Sequence, residues 1–441
     1  MTSFLKLWKT EYAQAEANRR QMEDRSNLKI AVVGAGVAGI VSAYLLQERH
    51  QVTLFEKNDY IGGHTHTIVV ETGPDKGLPV DTGFIVFNDR TYPHFIRFLE
   101  RLKVSYQKAP MSFSYYDPRS GFVYGSNNLF ADRRNLVSPR FLKFLLDITR
   151  FNRIANRLLK EEELPMMTLG EFLEHHRFSR NLIDWYVIPM GAAIWSTPDL
   201  GMMKFPAATF LRFFANHGLL TINDQPQWYT VQGGSHEYVK AFLKSFKGTV
   251  NKDGGAQSIR RTETGAQVKA DNTWQDFDRV VVAAHADEAL KLLEDPSEEE
   301  TRLLSPWGYT QNRVILHTDS SVLPPNRKAL SAWNYVRSGD IANSTVMTMS
   351  YSMNLLQNLN TTKDYCVTLN PGVTIDPETI IAELVYTHPT FTNDAVATQA
   401  ELPELNGVRQ TYFCGSYFRY GFHEDATLSA VNVGKSFGIE L

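Results

Sequence analysis

The sequence predicts the α/β fold class, built on a parallel sheet, and two local observations support that prediction. Residues 28–33 (LKIAVV) form a short apolar run that suits a buried parallel strand, and they lead directly into a glycine-rich turn at 34–39. A helical pattern follows, and a second strand at 52–55 then ends at Glu56. A strand, a helix and a strand in this order are typical of a βαβ unit.

The glycine-rich turn indicates a dinucleotide site of the Rossmann type. Gly34 permits the tight turn, Gly36 lets the backbone approach a pyrophosphate, and Gly39 lets the helix pack closely on the strand. The helix N-terminus offers N–H groups to phosphates. Glu56 lies 22 residues after Gly34, where an acid binds ribose hydroxyls, which favours FAD or NAD over NADP. The alternative is a glycine-rich turn in an unrelated α/β domain.

Further segments of small residues extend this pattern along the chain. Two glycines at 62–63 precede His64 and Thr65, and a VDTGF segment occupies 80–84. An apolar strand near 277–286 ends in small residues. A fourth strand near 411–416 leads through Gly421 into a last helix that reaches about Gly438.

This set of motifs resembles the FAD-dependent amine oxidase superfamily, which includes monoamine oxidases, phytoene desaturases and protoporphyrinogen oxidases. One subgroup of this superfamily has segments similar in sequence to IGGHTHT, VDTGFIVFNDRTYP and FCGSYFRYGFHEDA. That subgroup is associated with cyclopropane-fatty-acid synthases and with desaturation of methyl-branched acyl chains on the route to furan fatty acids. The resemblance spans nearly the whole chain. It implies FAD held by Gly34, Gly36, Val37, Ala38, Gly39, Glu56, Lys57, Gly62, Gly63, His64, Thr65, Thr82, Gly83, Phe84, Ala256, Ala283, Ala284, Gly415, Ser416, Gly421, Phe422 and His423.

The resemblance also implies a Rossmann-like FAD-binding domain that is discontinuous, with an inserted α+β substrate domain. An N-terminal extension covers 1–27, the FAD-binding domain covers 28–90, 225–300 and 401–441, and the substrate domain covers 91–224 and 301–400. The residue patterns predict a β-meander at 250–280 and mostly helical structure at 91–224. They also predict strands at 310–318 and 345–351 and a helix at 376–386.

The C-terminal motif supplies the candidate catalytic residues, His423 and Glu424, of which one would take a proton from the substrate. The alternative for Glu424 is that an acid in the first helical turn only complements the helix dipole. Trp195, Tyr417, Phe418 and Phe422 are the candidate substrate-pocket residues, with ordinary core packing as the alternative.

Three other positions bear on the chemistry. His64 stands where many relatives have Arg, and it is expected to hydrogen-bond phosphate or ribityl groups. Cys414 is expected to be a small core residue, and the two cysteines, Cys366 and Cys414, have no metal-site spacing, so no metal is predicted. Many amine oxidases place a Lys near the flavin, but the comparable stretch at 309–315 has none, which disfavours amine oxidation.

Charge patterning bears on partners and location. The formal net charge of −3 disfavours nucleic-acid binding, and no apolar run is long enough to span a membrane. Few cysteines favour a cytoplasmic location. Residues 133–160 carry eight Arg or Lys residues against one acid, interleaved with apolar residues at helical spacing. The default interpretation is a core-facing helix with a solvated basic face, and the alternative is peripheral contact with an anionic membrane. Phe4, Leu5 and Trp8 raise the same question for the N-terminus.

The leading hypothesis is an FAD-dependent dehydrogenase or desaturase that removes a hydride from a fatty-acyl substrate. The alternatives are an FAD-dependent amine oxidase, a flavin-dependent fatty acid isomerase, and a non-catalytic accessory flavoprotein that partners a lipid methyltransferase.

Overall fold

A computed structural model of the chain describes residues 26–162, 164, 166–197, 199–221, 223–337 and 348–441. Residues 1–25, which include Phe4, Leu5 and Trp8, lie outside this part. The strands are β1 Lys29–Val33, β2 Gln51–Phe55, β3 Thr67–Val69, β4 Pro79–Asp81, β5 Phe87–Asn88, β6 Tyr106–Lys108, β7 Phe113–Asp117, β8 Phe122–Gly125, β9 Trp228–Val231, β10 Thr249–Asn251, β11 Ser258–Arg261, β12 Ala266–Ala270, β13 Thr273–Phe277, β14 Arg279–Val282, β15 Gly308–His317, β16 Trp333–Val336, β17 Thr348–Ser352, β18 Cys366–Leu369, β19 Ile380–Thr390 and β20 Thr411–Phe413.

Helices flank these strands. They are α1 Val37–Leu46, α2 Pro93–Leu102, α3 Pro139–Glu161, α4 Leu169–His175, α5 Arg180–Leu182, α6 Ile188–Trp195, α7 Asp199–Met203, α8 Ala207–Asn216, α9 His236–Ser245, α10 Ala286–Leu292, α11 Glu298–Leu304, α12 Met353–Leu356, α13 Asn393–Thr398 and α14 His423–Ser436, with a π turn at Ile183–Val187 between α5 and α6. No helix in the described part combines the length and apolar character needed to cross a bilayer.

A parallel five-stranded sheet in the order β10-β2-β1-β14-β20 is the centre of the first domain. Strand β1 is buried on both faces, which explains its unbroken apolar run. Ile30 and Val32 pack in one core cluster with residues of α1 and α14, whereas Ala31 and Val33 pack in the other with residues of β11–β13. The strands of this sheet come from three separate stretches of the chain, as the discontinuous FAD-binding domain requires.

The carboxyl ends of four parallel strands meet at one edge of this sheet, where α/β proteins bind their ligands. Gly34 follows β1, Glu56 follows β2, Ala283 follows β14 and Cys414 follows β20. Cys414 itself is buried in the core, and burial raises the pKa of its thiol to about 12.

A mixed seven-stranded sheet in the order β19-β15-β18-β17-β16-β7-β8 forms the second domain together with α3–α8. The predicted meander at 250–280 is confirmed by the antiparallel strands β11, β12 and β13. The strand at 310–318 is confirmed by β15 and the one at 345–351 by β17, for the residues described.

One secondary-structure prediction is wrong. The stretch 376–386 is not a helix, because β19 pairs with β15 along almost its whole length and this pairing outweighs local helical periodicity. The prediction that 91–224 is mostly helical is confirmed, because α2 to α8 lie within it, although β6, β7 and β8 lie there too and the last two extend the seven-stranded sheet.

Candidate active site

The glycine-rich turn after β1 packs against the neighbouring strand end. Gly34 has a φ of +98°, and a Cβ there would lie 2.5 Å from the carbonyl oxygen of Ala283. A Cβ on Gly39 would lie 1.8 Å from the carbonyl oxygen of Gly34, so α1 can pack this closely only without a side chain. A Cβ on Gly36 would meet no atom within 4 Å. The backbone at Gly36 is therefore open to a ligand.

The second glycine pair lies against the first turn. The amide of Gly62 donates to the carbonyl of Ala35 at 2.9 Å, and a Cβ on Gly63 would lie 3.0 Å from the Cα of Gly36. The carboxylate of Glu56 supports the same turn, because it accepts hydrogen bonds from the amides of Ala35 at 2.8 Å and Asn58 at 2.9 Å. The predicted contact of Glu56 with a ribose stays a prediction.

A single cavity of about 1330 Å³ runs from this turn into the second domain. Most of the expected FAD and substrate residues line it: Gly34, Gly36, Val37, Ala38, Glu56, Lys57, Gly63, His64, Thr82, Gly83, Phe84, Trp195, Ala256, Ala283, Ala284, Gly415, Ser416, Tyr417, Gly421, Phe422 and His423. Gly39, Gly62, Thr65, Phe418 and Glu424 do not line it. Gly39 and Gly62 instead contact the backbone of the glycine-rich turn, as described above.

The N-terminus of α14 faces the cavity at the point where the resemblance locates the flavin. Gly421, Phe422, His423 and Ala426 all line the cavity, and the carboxylate of Asp425 accepts the amide of Phe422 at 2.9 Å. Burial raises the pKa of Asp425 to about 6. A helix N-terminus stabilises negative charge nearby, as reduced flavin requires.

The His423 side chain is engaged in the core. Its ring stacks on Phe84 with centroids 3.6 Å apart, and its Nε2 lies 3.0 Å from the hydroxyl of Thr65 and 3.1 Å from that of Tyr238. Burial holds the pKa of His423 well below its ordinary value, so the ring is neutral. A catalytic role for His423 stays a prediction, and these contacts support a structural one.

The Glu424 carboxylate caps a different helix. One oxygen accepts a hydrogen bond from the backbone amide of Phe95 at 2.9 Å. The other accepts a hydrogen bond from the backbone amide of His94 at 3.1 Å and lies 2.6 Å from the Nδ1 of His94. These groups belong to the first turn of α2, whose unpaired N–H groups need such an acceptor. The catalytic role of Glu424 also stays a prediction, and its position behind the cavity supports the capping role.

An aromatic wall lies beside the flavin position. Trp195 packs against Phe213 at 4.7 Å between ring centroids, and Phe213 stacks on Phe422 at 4.8 Å. The indole nitrogen of Trp195 donates to the carbonyl of Tyr420 at 3.1 Å, which fixes the ring. The expected role of Trp195 and Phe422 in binding substrate stays a prediction, since these contacts also fit the alternative of core packing.

Charge is unevenly distributed along the cavity. The charged lining residues in the described part are Glu56, Lys57, Glu288 and Lys291, all at the glycine-turn end. The other end is lined by aliphatic, aromatic and neutral polar side chains, such as Ile148, Tyr186 and Tyr351. His217 also lines that end, but burial lowers its pKa to about 4 and so keeps it neutral.

Three histidines meet beside the glycine turns, and sequence reasoning identified only one of them as part of the site. The ring centroid of His64 lies 5.1 Å from that of His388 and 6.2 Å from that of His285. The sequence does not point to His388, because this residue lies on β19, next to the stretch that the sequence pattern predicts to be a helix. The β-branched residues of that stretch, IIAELVYT, were the available signal for a strand.

His64 carries a buried nitrogen that a ligand can satisfy. Its Nε2 has no hydrogen-bond partner among the described residues, and the residue lines the cavity. Burial lowers the pKa of His64 to about 4, so the neutral ring offers a lone pair. With the open face of Gly36, this unpaired nitrogen fits a polar, hydroxyl-bearing cofactor such as FAD.

The fold and the cavity thus define the class of two-domain, FAD-binding oxidoreductases. Comparison with known families is in agreement, because residues 37–371 match the model of the flavin containing amine oxidoreductases. The chain belongs to that family, and its cofactor is FAD.

Individual relatives are more distant. A 1-hydroxycarotenoid 3,4-desaturase of Flavobacterium sp. (strain P99-3) is 35% identical over 150 residues, which cover 34% of this chain and 26% of the desaturase. An L-amino-acid oxidase of Siganus canaliculatus is 24% identical over 310 residues, covering 66% of this chain and 57% of the oxidase. The chain therefore matches only a quarter to somewhat over half of the length of these relatives.

Among solved structures, the CLA-producing fatty acid isomerase from P. acnes superimposes with a TM-score of 0.65 at 14% identity. The superposition covers 93% of this chain and 98% of the isomerase. At this identity the likeness establishes the shared fold.

Proposed function

We propose that the protein is a dehydrogenase that introduces a double bond into a neutral, fatty-acyl substrate. The observation that carries this proposal is the absence of charged side chains from the substrate end of the cavity, in the part of the chain that the structure describes. A cationic amine would need a carboxylate or a comparable partner there, and an amino-acid carboxylate would need Arg or Lys, because unpaired charge is costly to bury.

When bound, FAD supplies the acceptor for a hydride, and a second hydrogen leaves the substrate as a proton. The chain's own contribution is to bind the apolar substrate, to exclude water and to align one carbon with the flavin position beside Phe422. His423 and Glu424 are not assigned as the base, since both side chains are engaged in the hydrogen bonds described above. A carotenoid desaturase among the relatives is compatible with an apolar substrate.

An anaerobic titration tests this proposal. The absorbance of the FAD-loaded protein is followed while detergent-dispersed phospholipids with methyl-branched or cyclopropane acyl chains are added, and then while amines and L-amino acids are added. Bleaching by the lipids alone supports the proposal, and bleaching by amines or amino acids contradicts it. Unchanged absorbance with a rearranged lipid product would indicate an isomerase instead. Unchanged absorbance and unchanged lipid would indicate an accessory flavoprotein, to be tested with a lipid methyltransferase.

A matched pair of variants on α3 sharpens the test. Ile148 lines the substrate end of the cavity, whereas Ile154 lies on the same helix and packs against the core without lining the cavity. We expect Ile148→Glu to slow lipid-dependent bleaching by about a hundredfold, because it buries a carboxylate beside the acyl chain. Ile154→Glu is expected to retain bleaching in the fraction that folds. Equal loss in both variants would contradict the assignment of the substrate end.

A further inference from the structure

One short stretch of the surface concentrates exposed apolar side chains. Five of the eleven large hydrophobic residues that are exposed in the described part lie between residues 130 and 146. These five, which we name the docking face, are Phe130, Leu136, Val137, Leu142 and Leu146, and Val137 is 81% and Leu146 71% exposed. A concentration of exposed apolar side chains of this kind indicates a contact site.

Positive charge surrounds the docking face. Arg133, Arg134, Arg140 and Lys143 lie within or beside it, and four further basic residues of α3 continue along the helix as far as Lys160. All eight are exposed. Arg134 pairs with Asp132 and Arg157 with Glu161, so the local excess is smaller than eight but remains strongly positive in a chain of net charge −3.

The same helix forms a wall of the cavity. Phe141, Phe144 and Phe151 of α3 are buried in the core, and Leu145 and Ile148 line the substrate end. Thr149 lines the cavity and is also exposed, as expected of a residue at an opening of the cavity beside α3. Leu142 and Leu146 lie three to seven residues before Thr149, on the helix face that adjoins this opening.

We propose that the docking face binds the surface of an anionic phospholipid bilayer, so that an acyl chain passes from the bilayer into the cavity beside Thr149. An apolar patch bordered by Lys and Arg matches a membrane of negative surface charge, because apolar side chains enter the acyl boundary and cations attract the headgroups. The route for the acyl chain rests on the proposed function, but docking itself does not.

Co-sedimentation of the FAD-loaded, full-length protein with vesicles tests docking. Vesicles of phosphatidylcholine with phosphatidylglycerol are compared with vesicles of phosphatidylcholine alone. We expect binding to the anionic vesicles that weakens as salt is raised, because salt screens the attraction. Equal binding to both vesicle types, or binding to neither, would overturn the proposal. If, in addition, the protein forms a dimer in solution, the docking face would be assigned to a second copy of the chain.

Two sets of variants locate the surface. Val137→Glu with Leu146→Glu is compared with Leu243→Glu and Val408→Glu, which replace exposed apolar residues elsewhere. We expect the first pair to lower vesicle partitioning at least about tenfold and the control pair to leave it unchanged. Similar losses in both pairs would contradict the assigned surface.

The charge set replaces Lys143, Arg153 and Lys160 by Gln, with Lys204, Lys244 and Lys328 as the control set. We expect about a hundredfold loss of binding to anionic vesicles for the first set alone. Flavin reduction by detergent-dispersed lipid separates the two proposals. If the lipid reduces the flavin but the protein does not bind vesicles, the docking proposal is wrong and the proposed function is retained. If the protein binds vesicles but the lipid does not reduce the flavin, the proposed function is wrong and the docking proposal is retained.

Discussion

The ring of His423 lies flat on the ring of Phe84, with centroids 3.6 Å apart and an angle of 8° between the planes. Its Nε2 also contacts the hydroxyls of Thr65 and Tyr238, which hydrogen-bond each other. Because one hydroxyl can donate to the other but the second needs the ring nitrogen as its acceptor, we expect His423→Leu to leave one buried hydroxyl proton without an acceptor. The expected cost is about 1–3 kcal/mol in the free energy of unfolding. Urea unfolding measures the change in stability, and single-turnover flavin reduction measures whether the reaction is affected. Unchanged stability with lost flavin reduction would instead establish His423 as catalytic.

The glycine turn offers a contrast between two substitutions. Gly36→Ala is expected to fold normally, because its Cβ meets no protein atom, but to bind FAD more weakly since that Cβ occupies the ligand's space. Gly39→Ala is expected to disrupt the turn itself, because its Cβ would lie 1.8 Å from the carbonyl oxygen of Gly34. Flavin content and thermal unfolding of the purified variants are the measurements. Tight FAD binding by a stable Gly39→Ala protein would refute this account.

The unpaired nitrogen of His64 makes a prediction about cofactor affinity. His64→Leu removes that nitrogen, and we expect FAD to dissociate about tenfold more readily, the effect of one lost hydrogen bond. Release of fluorescent FAD on dilution reports the affinity. His66→Leu is the control, because His66 contacts Tyr386 and does not line the cavity. Equal weakening in both variants would mean that the Nε2 of His64 does not contact the cofactor.

Glu424 is expected to matter for folding through α2. Glu424→Gln replaces an acceptor of hydrogen bonds from His94 and Phe95, and we expect a loss of about 1–2 kcal/mol in the free energy of unfolding. Glu404→Gln, at an exposed acid, is the control and should be neutral. The measurement is denaturant unfolding of the FAD-loaded proteins. A variant as stable as the parent but inactive would show that Glu424 acts on substrate.

Buried histidines should make stability depend on pH. Burial lowers the pKa of His317 to about 4, from an ordinary value of 6.5. Its stabilising contribution is therefore present above pH 6.5 and declines as the pH falls towards 4, by up to about 1.4 kcal/mol per pH unit. Asp81 and Asp425, whose pKa values are raised to about 6, oppose this trend between about pH 4 and 6. We expect His317→Gln to flatten the loss of stability between pH 6.5 and 5 in urea unfolding, and an unchanged slope would contradict the assignment.

The part of the fold that could be predicted from sequence is the part governed by local rules. The run 28–33, the turn at 34–39 and Glu56 lie within one short segment, and their backbone requirements appear directly as glycines and β-branched residues. The strand β19 could not be predicted in the same way, because its conformation is decided by pairing with β15, some seventy residues earlier. Tertiary pairing of this kind overrides local periodicity.

The candidate site shows the same difference between features set by local sequence and features set by long-range contacts. Residues that shape the glycine turns were predictable, whereas the capping role of Glu424 depends on α2, which begins 331 residues earlier at Pro93. The meeting of His64 with His285 and His388 likewise joins three distant segments. The lack of charged side chains among the described residues at the end of the cavity away from the glycine turn is a property of many side chains together, and no single motif encodes it.

The order of strands in the parallel sheet has a consequence for how the protein matures. β1 supplies the glycine turn early in the chain, but β14 pairs with β20 and the flavin position is completed by the start of α14 at His423. A growing chain therefore carries its glycine turn for nearly four hundred residues of synthesis before the start of α14 is made. Such long-range pairing is slow and leaves apolar surface exposed meanwhile. Complete enclosure of FAD is therefore expected to wait until the residues of α14 have been synthesised, and the supply of free cofactor at that stage should influence the yield of folded protein.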